Sequence, residues 1–592
     1  MSYAGKATTN MDWIACVPEA LAPSVSDDLR MAQARVAKSD RVAWTDALGL
    51  VVGSRYSPFQ GRLAQAAYRR LLLRGALSAF PVGGLPAALA HIMKSIRQPD
   101  QRSRAVESLA DSLDDHDARL RAYWIAYGSN PTPDRAEQIA RKLFRLGNIT
   151  GSGILLARAT SVEDSGSRTI RLCNRLLSRG VDIPPMAMAS GRRRTQKARI
   201  AYVASSILPL QTAGYTVRTH NLLRALQKAG HGVTCYARPG YPWNSSKLSG
   251  LCGSGLQTRS LDAIDYICTP IPEGEPELLI ERMSDVLAKH FRSELPDIVH
   301  AASNQRNALP ALIAARQLGL PFVYEVRGLW ELTAAVDKPW WKQTEKFELD
   351  RSLEIRVASE SDHVFALTQG IADQLIAGGV SADKITLLPN AVDAEQFRLA
   401  TNSAAKTSTL TVAYAGTLRT YEGLDDLIKA SRILRARGVD IRVLIIGDGP
   451  ARDELVSLTA SRSLQGMVTF TGELSQDQMR SYLDMADVVA LPRKPFELCK
   501  IVSPLKPFEA MAMGKAVVVS DLPALREIVM DLETGRVCRP NDPVNLADVL
   551  QELAADPGLR ARLGTAAREW VVNYHSWDAM AARIEAAYER LA

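Results

Sequence analysis

Cysteine is sparse: the seven thiols (Cys16, Cys173, Cys235, Cys252, Cys268, Cys499 and Cys538) are odd in number and never fall in a C-x-x-C pair. That spacing excludes a disulfide framework and a zinc ribbon, and it sets the expectation of a reducing compartment. Long apolar runs are missing too, and none approaches the roughly 18 residues of a membrane-spanning helix. The N-terminus, MSYAGKATTNMDW, has no basic patch followed by an apolar stretch, so no secretory leader is expected. The expected location is cytoplasmic, with at most a peripheral contact at the inner face of the cell membrane. Asp-x-Asp occurs as Asp115 and Asp117 in a polar helical stretch; that reads as a solvated face, and no metal site is expected.

A large charge excess of either sign is also absent. The net charge of +8 over 592 residues suits anionic ligands but is widely spread. Arg192, Arg193, Arg194, Lys197 and Arg199 form the one dense run, at a break in composition. It reads first as a solvated linker and second as a lipid-headgroup or nucleic-acid contact; for the protein as a whole, nucleic acid is not an expected partner.

What is present divides in three. Residues 1–195 carry helical periodicity, as in GRLAQAAYRRLLLRG, SRAVESLADSLDDHDARLRAYWIAYG and DRAEQIARKLFRLG. KLFRLGN (142–148) and RLLSRGV (175–181) recur at an interval of about 33 residues, which suits helical-hairpin repeats; an irregular bundle is the alternative. This helical domain is a candidate docking surface for a protein partner. From Ala198 strands and helices alternate: ARIAYVAS, YTVRTHNLLRALQKAGHG, GVTCYARPG, PDIVHAAS, PFVYEVRG, HVFALT and KITLLPN. The alternation restarts at TVAYAGT and runs through IRVLIIGDG, MVTFTGE, DVVALPR and AVVVSD, with PNAVD (389–393) as the hinge. The fold class expected is α/β, two Rossmann-like lobes preceded by an all-α domain. The first lobe spans 196–390 and the second 391–575, with a cleft between the carboxyl ends of their strands.

The stretch RKPFELCKIVSPLKPFEAMAMGKAVVVSD, from Arg493 to Asp521, carries the chemistry. The pattern predicts a short helix with Ser503 as cap, Pro504 at the first position and Gly514 beyond the end. The N–H groups of Leu505 and Lys506 then stay free for an anion, with the Lys506 ammonium beside them. Glu509 sits among Ala510, Met511, Ala512 and Met513, poor surroundings for a carboxylate unless a hydroxyl donates to it. A nucleotide sugar offers both a phosphate and a hydroxyl.

These residues, with AGYTVRTHNLLRALQKAGHG, VYEVRGLWE, LLPNAVDAEQF, AGTLRTYEGLDDLI, IIGDGPARDEL and ETGRVCRPNDP, occur in the order and spacing that resemble glycosyltransferase family 4. The resemblance covers about two thirds of the chain and implies a GT-B fold. It further implies retaining transfer of a sugar from a UDP- or GDP-sugar, without a metal or other cofactor, to a glycan or lipid-linked acceptor in polysaccharide or exopolysaccharide assembly. The closing helix, residues 576–592, looks like the family's segment that returns to the first lobe. Glu509 matches the family glutamate that meets the donor ribose. Gly214 and Gly416 match donor-loop glycines, and Arg327 stands where many relatives carry a histidine that orients the donor sugar. Arg218, His300, Trp330 and Glu331 are candidate acceptor or sugar contacts. Two departures matter. The family's second glutamate is replaced by Ile501, and the basic positions of its G-R-L-x-x-x-K-G loop are Thr417 and Glu422. Lys506 and Arg493, with Arg419 as a third, are the candidates to supply the missing charge. A catalytic role is assigned to Glu509, Lys506 and Arg327. Two other readings stay open: a non-catalytic GT-B scaffold in a glycan-assembly complex, and a GT-B nucleotide-sugar epimerase or hydrolase.

Overall fold

The computed structural model describes residues 88–90, 92, 93, 96–159, 164–187, 197–245, 248, 250, 253, 255–399 and 409–591. The segment GRLAQAAYRRLLLRG, Cys16, Cys252 and Arg192 to Arg194 lie outside them. Contacts divide the chain into two units. One comprises Met1–Val181 with Trp340–Leu349, and the other Asp182–Pro339 with Asp350–Ala592. The division precedes residue 195 because the extended chain after Val181 joins the second unit, where Ala187 N–H donates to the Arg316 carbonyl at 2.9 Å.

The first unit contains α1 (Pro99–Ser112), α2 (His116–Ser129), α3 (Pro133–Arg145), α4 (Ile149–Leu156) and α5 (Ser165–Arg179). Polar caps start four of them: Asp115, Thr132, Asn148 and Asp164 each accept a backbone N–H of the first turn. Asp115 of the Asp-x-Asp pair is therefore a helix cap, and Asp117 lies beside the His116 ring at 3.3 Å. Val106, Leu109, Ala122, Ile139, Leu143, Leu155 and Ile170 make the core. Trp340 stacks on His116 with ring centroids 4.4 Å apart. KLFRLGN and RLLSRGV share a local cause, since each closes a helix with a glycine at positive φ, Gly147 at 80° and Gly180 at 70°.

The second unit holds two sheets. Strands β1 (Arg199–Ala204), β2 (Gly232–Ala237), β3 (Gln257–Leu261), β4 (Ile264–Cys268), β5 (Ile298–Ala302), β6 (Phe322–Val326), β7 (His363–Ala366) and β8 (Ile385–Leu387) run in the order β3-β4-β2-β1-β5-β6-β7-β8. All neighbours are parallel except the β3–β4 hairpin, which the alternating pattern did not predict. Helices α6 (Gly214–Lys228), α7 (Leu279–Glu294), α8 (Gln305–Gln317), α9 (Trp330–Ala335), α10 (Glu345–Glu360) and α11 (Gln369–Ala377) connect them.

The second sheet contains β9 (Leu410–Ala415), β10 (Ile441–Ile446), β11 (Val468–Gly472), β12 (Val488–Leu491), β13 (Ala516–Ser520) and β14 (Arg536–Cys538), in the order β11-β10-β9-β12-β13-β14. Its helices are α12 (Leu424–Ala436), α13 (Arg452–Ser461), α14 (Gln476–Asp484), α15 (Glu497–Ile501), α16 (Lys506–Ala512), α17 (Pro523–Arg526), α18 (Pro543–Ala555) and α19 (Pro557–Tyr574). The last helix, α20 (Trp577–Arg590), lays Trp577, Met580, Ala581, Ile584, Ala587 and Tyr588 into the core of the first lobe with Ile200, Tyr202 and Leu222.

Strand order reverses between β1 and β5 in the first sheet and between β9 and β12 in the second. At such switch points neighbouring loops part and leave a crevice for ligands. Among the described residues no helix is long and apolar enough to cross a membrane.

Candidate functional site

The crevice of the second lobe is built from the loops after β9 and β12. Glu422 ends a single helical turn, Thr420–Glu422, and Gly423 caps it in the left-handed conformation at φ 71°. A Cβ on Gly423 would lie 1.9 Å from the Pro492 carbonyl oxygen. Only glycine lets the two loops approach this closely. The approach brings three charges together. Glu422 accepts from Arg493 Nη2 at 2.9 Å and Nε at 3.2 Å, and Lys506 Nζ lies 2.9 Å from the same carboxylate. Lys506 also donates to the Tyr414 hydroxyl and rests over its ring, 4.4 Å from the centroid.

Glu422 is only 2% exposed. Burial would raise its pKa, but Arg493 and Lys506 overcome that and hold it at about 2. The cluster thus carries one net positive charge. The two cations assigned to a phosphate are already partnered by a residue that the sequence reading treated only as a lost base. Arg419 stays exposed on the same loop.

Helix α16 begins at Lys506 with Leu505 in the cap position and no side-chain cap. This corrects the expected start: Ser503 and Pro504 precede the helix, and Pro507 is the proline in its first turn. Ser503 turns instead to the hinge, where the Asn390 amide donates to its carbonyl at 3.0 Å. No described residue accepts the backbone N–H of Leu505 or Lys506. Arg568 of α19 donates to the Ala512 carbonyl and fixes the other end of the helix.

One turn in, Glu509 is half-buried, and no described side chain or backbone group donates to its carboxylate. Burial pushes its pKa up to about 7, with Lys506 opposing. An unpartnered carboxylate one helical turn from an ammonium and two free N–H groups can accept from a ligand hydroxyl while its neighbours hold an anion.

The first lobe meets this crevice at several points. Gly214 opens α6 opposite Leu505, and a Cβ there would come within 3.3 Å of Leu505 Cδ1. Thr368 donates to the Ile501 carbonyl, Gln369 N–H to Glu527 at 3.2 Å, and Thr420 to Asp337 at 3.2 Å. Ile501 packs against Gly370, so the position of the family's second glutamate is an apolar contact between lobes. Glu497 is exposed on α15.

Arg218, Arg327 and His300 occupy a different place from the one expected. Glu325, 1% exposed at the end of β6, accepts from Arg218 at 2.9 and 2.7 Å, from Arg327 at 2.9 Å and from the Tyr202 hydroxyl at 2.6 Å. Burial works against its charge, but the two guanidiniums hold its pKa well below the usual carboxylate range. Arg218 also donates to the carbonyls of Leu388 and Pro389 and to the Asn390 side chain. Arg327 is further held by the Tyr215 carbonyl and Thr219 hydroxyl. His300, fully buried, meets the Tyr588 hydroxyl at 2.7 Å, and burial lowers its pKa to about 3. These contacts tie the three side chains into the lobe, although Arg327 Nε and His300 Nε2 are buried without a hydrogen-bond partner among the described residues.

Trp330, half exposed, and Glu331, 3% exposed, start α9 at the carboxyl edge of β6. Burial raises Glu331 to about 7 and Glu354 to about 8, with the Glu331 charge adding to the rise at Glu354. Glu325, Asn390 and Glu422 were not among the assigned site residues. The signal for Glu325 was present: a carboxylate inside the apolar strand FVYEV requires a partner.

Residues 213–391 match the glycosyl transferase 4-like domain, and residues 396–570 match glycosyl transferases group 1. A glycogen synthase of Mycobacterium tuberculosis is 26% identical over 408 residues, 65% of this chain and 92% of the relative. A GDP-mannose-dependent alpha-(1-6)-phosphatidylinositol monomannoside mannosyltransferase of the same species is 28% identical over 243 residues, 40% of this chain and 63% of the relative. Among solved structures, sucrose-phosphate synthase from Thermosynechococcus elongatus superposes with a TM-score of 0.54 at 19% identity, covering 66% of this chain and 99% of its own. Anabaena HepE in complex with UDP gives 0.51 at 15%, covering 66% and 100%. The two lobes have the GT-B fold.

Proposed function

We propose that this chain, whose lobes are a glycosyl transferase 4-like domain and a glycosyl transferases group 1 domain, is a retaining glycosyltransferase using a nucleotide-diphosphate sugar. The observation that carries the reading is Glu509: a half-buried carboxylate without a donor among the described residues, one turn from N–H groups of Leu505 and Lys506 that no described residue accepts. The ribose donates a hydroxyl to Glu509. The diphosphate sits at the N–H groups and the Lys506 ammonium, with the buried Arg493 charge behind them, which stabilise charge as the sugar leaves. The anomeric centre keeps its configuration, and no enzyme nucleophile is assigned. The acceptor, a glycan or lipid-linked glycan, approaches from the first lobe past Trp330 and Glu331.

The pairing of Glu422 with both cations favours a second reading, a GT-B scaffold that does not turn over. Incubating the full chain with UDP-, GDP- and ADP-sugars and candidate acceptors, and following nucleotide release and anomeric configuration by NMR, separates the two. Acceptor-dependent release with retention supports the transferase. Release without acceptor points to a hydrolase or epimerase. A folded protein that releases nothing from any donor leaves the scaffold.

A further inference from the structure

The triad Glu422, Lys506 and Arg493 is built too carefully to be a defect in an anion site. Its carboxylate is buried on a loop pinned by Gly423 and makes three contacts of 2.9, 2.9 and 3.2 Å with the two cations. Each cation keeps a donor group outside the pairing. Lys506 uses Nζ on Glu422 and Tyr414, and Arg493 turns Nη1 to the Val502 carbonyl at 3.1 Å. The ammonium and guanidinium are therefore held in place, still able to donate, with half their charge cancelled before any ligand arrives.

We infer that Glu422 is an internal counter-anion that sets how tightly this site holds a diphosphate. In the empty site it offsets the repulsion between a buried guanidinium and a partly buried ammonium and fixes their positions. In the liganded site it stays as a like charge beside the diphosphate, weakening the hold on it and speeding its departure as the product of transfer. Glu422 touches Lys506 and Arg493 and not the reacting atoms, so it is a positioning residue. The inference rests on the donor site proposed above, and it makes a prediction opposite to that of a merely structural role. Neutralising a residue that only braces Lys506 would weaken anion binding. Neutralising a counter-anion strengthens it, because the site then presents two positive charges instead of one.

The test is calorimetric titration of the full chain and of Glu422→Gln with inorganic pyrophosphate, UDP, GDP and ADP. The expected result is a roughly tenfold or greater tightening for the diphosphate-bearing probes in the variant. A lower melting temperature without ligand and a larger rise on adding it should accompany the tightening. Turnover should show a stronger product inhibition by the nucleoside diphosphate and a lower kcat. Unchanged or weaker binding by a folded variant overturns the inference while leaving the donor site standing. No binding of any probe by either protein overturns both. If Glu422→Gln does not fold, the salt dependence of pyrophosphate binding to the wild type decides. Weak dependence, as for about one net charge, supports the counter-anion, and the steeper dependence of two uncompensated charges contradicts it.

Discussion

Gly416 and Lys506 lie so close that a Cβ on the glycine would fall 2.2 Å from Lys506 Cε and 2.8 Å from Nζ. The glycine is also at φ 143°, a conformation that side chains rarely adopt. Lys506 reaches Glu422 and Tyr414 because Gly416 projects no side chain into its path. Gly416→Ala should push the ammonium aside and weaken diphosphate binding roughly tenfold or more, the scale of a lost charged hydrogen bond. Titration of the variant with UDP and GDP checks this, and circular dichroism confirms the fold.

The Glu509 carboxyl should give opposite pH trends in stability and in binding. Its folded pKa is raised to about 7 from the ordinary 4.5, so the folded state binds the proton more tightly than the unfolded state does. Stability therefore falls as pH rises from about 4.5 to about 7, then levels off. Glu331 and Glu354 act in the same direction, so the difference between wild type and Glu509→Gln isolates this residue. Donor binding requires the carboxylate as acceptor and should strengthen as pH rises through about 7. Urea melts and titrations between pH 5 and 8 on both proteins read the two trends.

Arg218 and Glu325 should behave as framework. Removing one member of a buried ion pair strands the other, which costs about 3–5 kcal/mol. Glu325→Gln and Arg218→Met should each lower unfolding stability on that scale. Their double variant should lose less than the sum, because the two partners are removed together, although Arg327 still loses its carboxylate. A binding defect without a stability loss would instead return Arg218 to the ligand.

The glycines Gly514 and Gly564 seat α16 against α19. A Cβ on Gly564 would lie 2.0 Å from the Gly514 carbonyl oxygen. Gly564→Ala should cost about 1–3 kcal/mol of stability through overpacking. It should also weaken donor binding by shifting α16, and thermal melts with and without UDP measure both.

Much of the fold was readable because its parallel strands are buried on both faces and so appear as runs such as AVVVS and IRVLII, while amphipathic helices separate them. The β3–β4 hairpin was not, since QTRSL alternates exposed and half-buried residues at a sheet edge and lacks that texture. In the site, the short helix and the isolation of Glu509 were visible in composition and spacing. Its start was misplaced by two residues' worth of proline and serine signals, because Ser503 serves the hinge through Asn390. The partners of Arg218, Arg327, Arg493 and Lys506 were not visible. Arg218, Arg493 and Lys506 each meet a carboxylate far away in the chain, and only the folded sheets bring them together, whereas Arg327 meets Glu325 two residues before it. Sequence alone shows a cation without showing whether it is already satisfied.

The central claim is that Glu509 and Lys506 form one donor site. Its most direct test is calorimetric titration of UDP, GDP and ADP, free and as their sugars, into wild type, Glu509→Ala and Lys506→Ala. The account predicts that one nucleotide series binds the wild type and is weakened roughly tenfold to a hundredfold by either substitution, in proteins that still melt cooperatively. Equal binding by all three proteins, or binding by none, would contradict it.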